Sequence, residues 1–180
     1  MEACQLPFVE QPIPELCKLL NEIEVIAVVG LSPKPHRASH QVAKYLQAQG
    51  YKIVPVYPRE ETILGEKVYR SLEEIPFPVD IVDIFRKSEE TPPIVEQGVK
   101  VPGVKCIFLQ EGIINKKAEE IAEKAGKKFY QNRCLMVEHI RCKRKGMLKG
   151  EKEGEVNRKE EEGNEVKKEI PLKGMEGKGL

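Results

Sequence analysis

Residues 25–29, Val25-Ile26-Ala27-Val28-Val29, form an unbroken apolar run that stops at Gly30. A strand of this kind has no polar face to give to water. It therefore belongs inside a parallel sheet covered on both sides. The segments that follow extend the pattern. Val42, Ala43 and Leu46 stand at helical spacing within residues 39–49, before Gly50. Lys52 to Val56 is a second strand, ended by Pro58. A short helix at 72–75 and a turn lead to a third strand at 80–85, then a helix at 94–100 and a fourth strand at 104–110. Asn115 is placed to cap a helix that Gly126 ends. A shorter strand over 127–131 and a last helical turn or two over 135–140 complete the series, and a leading helix within 3–22 begins near Pro14. Strand and helix in alternation with short connections predict an α/β fold, a doubly wound parallel sheet of Rossmann type with about five strands. The predicted domain covers residues 1–142.

Beyond Cys142 the composition changes. Residues 143–180 contain no aromatic side chain, and Lys, Arg and Glu alternate with Gly. Such a segment has too little apolar surface to offset the entropy of ordering it, so a disordered tail is expected. Over the whole chain 30 Lys and Arg oppose 29 Asp and Glu. That balance argues against general attraction to nucleic acid or to an anionic membrane, so anion recognition must come from a local cluster. The first residues show neither a basic segment nor a continuous apolar one, and no run approaches the roughly 20 apolar residues of a membrane span. A cytoplasmic location is the expectation. The five cysteines are scattered and odd in number, with no CxxC pair. Neither a disulfide framework nor a zinc site is expected from that spacing.

In open α/β sheets ligands bind beyond the carboxyl ends of the strands, where the strand order reverses. The loop after the first strand, "GLSPKPHRAS", is therefore the first candidate. Gly30 permits a tight turn. The next helix begins near Ala38 or Ser39 and offers amide N–H groups and a positive dipole end. Lys34, His36 and Arg37 add cations, and Ser32 and Ser39 add hydroxyls. This is the composition of a phosphate site. A nicotinamide dinucleotide site usually carries an acid after the second strand, to hold the ribose hydroxyls. Here Tyr57, Pro58 and Arg59 occupy that place. A basic residue there favours a phosphorylated ribose, a feature that NADP and coenzyme A (CoA) share, and the residues alone leave both open.

The segments "VVGLSPKPHRAS", "GYKIVPVYPRE", "GEKVYRSLEEIP", "VDIVDIFR", "IFLQEGI" and "RCLMVEH", in this order, resemble the small single-domain CoA-binding proteins. Those are similar to the N-terminal nucleotide-binding domain of the succinyl-CoA synthetase alpha subunit. The resemblance spans residue 14 to about residue 142. It implies that CoA is held by Gly30, Ser32, Pro33, Lys34 and Pro35, with Arg37 and Ser39 next to them. It also implies roles for Lys52, at the start of the second strand, and for Leu109, Gln110 and Glu111, after the fourth. The family's usual Asn-Pro after the second strand is Tyr57-Pro58 here, so Tyr57 is expected to flank the adenine in place of an Asn hydrogen bond. Arg59 or Lys52 suits the 3'-phosphate. Ile84, Phe85 and Arg86 are expected on the adenine side, with Phe85 as an apolar wall.

No group of residues has the pattern of a reaction centre or a metal site. The three histidines are His36, His40 and His139. Cys134, beside Arg133, or Cys106 is a candidate to meet the CoA thiol and form a mixed disulfide with it, but a buried structural cysteine is the expectation for each. The expected function is binding of CoA or acyl-CoA as a non-catalytic carrier, sensor or regulatory module. The alternatives are an NADP-dependent reductase, or a detached acyl-CoA synthetase subunit that works with an ATP-grasp partner. A homo-oligomer is also compatible with the residues.

Overall fold

A computed structural model describes residues 11–149. The expectations for residues 3–10 of the leading helix and for 150–180 of the tail lie outside the described residues. Within them, Pro14–Glu22 forms α1 and Val25–Val29 forms β1. Next come α2 (Ala38–Ala48), β2 (Lys52–Val56), and a hairpin of β3 (Thr62–Ile63) and β4 (Glu66–Lys67). The rest of the domain comprises β5 (Ile81–Ile84), α3 (Thr91–Lys100), β6 (Cys106–Gln110), α4 (Lys116–Lys124), β7 (Lys128–Arg133) and α5 (Leu135–Arg144).

The main sheet has the order β2-β1-β5-β6-β7 and all its pairs are parallel. This is the doubly wound fold. The strand order reverses between β1 and β5, so the crevice of the fold lies beyond their carboxyl ends. The period of two sorts side chains onto two faces. Ile26, Val28, Ile53, Ile81 and Phe108 pack with α1, α2 and α5. Ala27, Val29, Val54, Val82 and Ile107 pack with α3 and α4. Both faces are covered, as the unbroken apolar strands require.

Several local choices follow from particular residues. Pro14 opens α1, where a missing N–H costs nothing. The Asn115 side chain accepts the Ala118 amide at 2.9 Å and caps α4. At the amino edge of the sheet Asp80 accepts the Glu24 and Val25 amides, at 3.0 and 2.9 Å, and pairs with Lys105. Partial burial opposes ionisation of Asp80, but Lys105 and the two amides outweigh it and lower its pKa. The segment expected as a short helix at 72–75 is a 3-10 turn, Leu72–Glu74. The β3–β4 hairpin was not anticipated: its turn residues Leu64 and Gly65 both have positive φ, and Leu64 lacks the composition that signals such turns.

The cysteine expectation needs correction. Cys17 of α1 and Cys142 of α5 form a disulfide across a sequence separation of 125. Spacing could not reveal it, because the topology lays the first helix beside the last. α5 also runs past the expected end, and the Asn21 amide group donates to the Met147 carbonyl at 2.7 Å. Closing so long a loop should stabilise the fold by about 4–5 kcal/mol in the chain-entropy description. Reduction, or the Cys17→Ser/Cys142→Ser pair, should lower the unfolding free energy in urea by a large part of that amount.

Asp83 is the second unusual interior feature. It is 0 % exposed in the middle of β5, and among the described residues neither carboxyl oxygen has a hydrogen-bond partner. Burial pushes its pKa well above the ordinary carboxylate range, against a smaller opposite pull from the Ile84 amide. The folded state thus retains a proton that the unfolded chain releases. Its contribution to stability is complete below the unfolded pKa and declines as pH rises above it. Unfolding measured from pH 4 to pH 8 should show this decline, and Asp83→Asn should flatten it.

Candidate functional site

The site begins where β1 ends. Gly30 has φ +84, and its amide donates to the Val56 carbonyl of β2 at 2.9 Å. A Cβ at Gly30 would run into the Phe85 carbonyl and come within 3.1 Å of Arg86 Cδ. The end of β1 is therefore pressed against the end of β5, at the reversal of strand order. Only glycine meets both conditions.

From there the loop is shaped by its own hydroxyls. Ser39 is 6 % exposed, and its Oγ accepts the Ser32 amide at 3.0 Å. Ser32 Oγ accepts the Lys34 amide at 3.2 Å, and His40 Nδ1 donates to the Ser32 carbonyl at 2.9 Å. The Arg37 amide closes a turn onto the Lys34 carbonyl at 3.1 Å. These contacts hold the backbone before α2 in a fixed curve and leave the Lys34 and Arg37 side chains exposed. Gly30, Ser32, Lys34, Arg37, Ser39, Tyr57 and Phe85 line one cavity of about 350 Å³. The amides of the first turn of α2 have no partners within the helix, so the cavity combines dipole, donors and two cations.

A second cavity, of about 330 Å³, opens on the α3 side of the same strand ends. Its apolar walls come from Val29, Val56, Leu72 and Ile94, and its polar ones from Arg70, Arg86, Glu90 and Gln97. Tyr57 lines both cavities. Arg86 Nε donates to Glu90 Oε2 at 3.0 Å, and both side chains are 40 % exposed. That pairing engages the guanidinium through Nε, and it holds the Glu90 carboxyl below its ordinary pKa.

The expected residues are thus not all brought together. Gly30, Ser32, Lys34, Arg37, Ser39, Tyr57, Pro58, Phe85 and Arg86 line one cavity or the other. Phe85 stands on the α2 side, apart from Arg86. Pro33 and Pro35 lie in the loop and line neither of the two cavities. Lys52 lines neither cavity: it opens β2 at the amino edge, the opposite end of the strand from Val56, and lies over the Phe77 ring at 4.2 Å. Arg59 is exposed and lines neither cavity. Leu109 is fully buried core, Glu111 is exposed, and Gln110 is 6 % exposed with Oε1 unpartnered. Arg70, Glu90 and Gln97 were not anticipated. The hairpin between β2 and Arg70 hides in sequence a closeness that the fold creates.

Both free thiols, Cys106 and Cys134, are buried. Burial, and secondarily the Asp83 carboxyl, push Cys106 up to about 12, so it stays a thiol. Cys134 is also buried, immediately before α5. His139 is buried in α5, with Nδ1 2.9 Å from the Tyr45 hydroxyl, a packed position away from both cavities.

Residues 24–140 match the CoA binding domain family. The chain belongs to this family. It is 38% identical over 125 residues to YneT of Bacillus subtilis, covering 69% of this chain and 92% of that protein. It is 37% identical over 122 residues to the alpha subunit of acetate–CoA ligase (ADP-forming) II of Pyrococcus furiosus, covering 62% of this chain but only 27% of the subunit. Among solved structures, a hypothetical protein from Pyrococcus horikoshii OT3 superimposes with a TM-score of 0.69 at 37% identity, covering 76% of this chain and 98% of the other. No helix among the described residues is long and apolar enough to cross a membrane.

Two glycines test the geometry. Gly30→Ala and Gly112→Ala both place a side chain at positive φ, which costs about 1–2 kcal/mol, but nothing lies within 4 Å of a Cβ at Gly112. Denaturant unfolding should show a distinctly larger loss for Gly30→Ala, because the Phe85 carbonyl must also move.

Proposed function

We propose that this CoA binding domain holds coenzyme A or an acyl-CoA across the two cavities, as a non-catalytic carrier, sensor or regulatory module. The α2 cavity, with Lys34, Arg37, Ser32 and the helix start, is suited to the diphosphate. The α3 cavity, with apolar walls beside Tyr57 and an incompletely engaged Arg86, is suited to adenine and the phosphorylated ribose. The observation that carries the reading is this adjoining pair, joined at Tyr57 and pinned at the Gly30–Phe85 approach. It favours a long ligand with a purine at one end and two phosphate groups of different kinds. NADP has these parts too, but membership of a CoA binding domain family favours CoA.

A second reading has a specific observation behind it. The similarity to an acetate–CoA ligase alpha subunit supports a role as a detached synthetase subunit with an ATP-grasp partner. CoA-dependent ATP turnover on mixing with such a partner would establish that role. Its absence would leave binding alone. A cytoplasmic setting and self-association belong to the same proposal.

Isothermal titration with CoA and with NADP tests the ligand. Lys34→Ala and Arg37→Ala should each weaken CoA binding by about 1.5–3 kcal/mol, the loss of one charge-assisted contact. Both side chains are exposed, so the thermal midpoint without ligand should stay within a degree or two. Equal CoA affinity in variants and parent would remove the loop from the site.

A further inference from the structure

We infer that Arg70 is a positioning residue, a clasp that holds the segment after β2 as a wall of the α3-side cavity. For its ligand the inference rests on the CoA reading above. For the clasp itself it rests on geometry. Arg70 Nη1 donates to the carbonyls of Tyr57 at 3.1 Å, Arg59 at 2.8 Å and Glu60 at 2.8 Å. One nitrogen with two hydrogens serves three acceptors, so its donor capacity is spent on backbone. The chain curls around that cation, and Glu60 is carried into the left-handed region with φ 63. A residue without glycine's freedom stays there only when its surroundings impose it.

The clasp is itself anchored. The Arg70 amide donates to Glu74 Oε2 at 3.1 Å. Its neighbour Tyr69 is bonded in both directions to the end of β2: the Tyr57 amide donates to the Tyr69 carbonyl at 3.0 Å, and the Tyr69 amide donates to Pro55 at 2.9 Å. Arg70 therefore reaches the loop from a segment already fixed to the strand that the loop leaves. Tyr57, Pro58, Arg70 and Arg86 all line the same cavity. Arg86 is held through Nε by Glu90 and Arg70 through Nη1 by three carbonyls; on this inference Arg86 meets ligand phosphate and Arg70 sets the wall against which the ligand lies.

The test uses Arg70→Met, which keeps an apolar stem and removes the donors. The probes are CoA and dephospho-CoA, which lacks the 3'-phosphate. A positioning residue predicts that affinity for both falls by a similar factor, about ten-fold, at a temperature where circular dichroism shows the variant folded. It also predicts that trypsin cuts the Arg59–Glu60 bond faster in the ligand-free variant than in the parent. A merely structural role would lower the melting temperature and leave both affinities unchanged, which overturns the inference. A loss confined to CoA would make Arg70 a phosphate contact and overturn it as well, as would unchanged cleavage. If the parent binds neither compound the CoA reading fails, while the cleavage rates still decide whether the clasp exists.

Discussion

The close approach of Gly30 to the Phe85 carbonyl is the constraint on which the site depends. β1 and β5 are neighbours, and their chains leave the sheet in opposite directions to α2 and α3. A crevice opens between them only if β1 can turn away immediately, and a side chain at position 30 would wedge the two strand ends apart. With that turn made, the Ser32 and Ser39 hydroxyls set the curve of the loop, and the start of α2 faces the crevice. Lys34 and Arg37 project from that curve into the cavity lining.

The interior supports this edge at some cost. Asp83, between the apolar residues of β5, carries a proton it would lose in water, so it weakens the fold as pH rises. The Cys17–Cys142 disulfide acts in the other direction by tying α1 to α5 over the same face of the sheet. In a reducing compartment such a bond persists only if its burial shields it from exchange, and both cysteines are buried.

Much of the fold was legible because its signals are local. The apolar run 25–29, the β-branched run 52–56 and the Asn115 cap each state their structure within a few residues, and the strands came out at or near those positions. The loop proposed to hold phosphate could be picked out for the same reason, since its glycine, cations and hydroxyls are contiguous. What was missed depends on distance in sequence. The disulfide joins residues 125 apart, and Arg70 reaches Tyr57 across a hairpin whose Leu64 turn residue gives no warning. Lys52 stands apart from the two cavities for a simpler reason. A strand has two ends, and resemblance alone does not say which one faces the ligand.

The central claim is that one ligand spans both cavities around the Gly30–Phe85 contact. Mapping amide shifts of the isotope-labelled protein by nuclear magnetic resonance during CoA addition tests it most directly. The account predicts saturable changes concentrated at residues 30–39, at Tyr57 and at 85–86, with the amino edge around Lys52 unmoved. Changes centred elsewhere, or a spectrum indifferent to millimolar CoA, would contradict it.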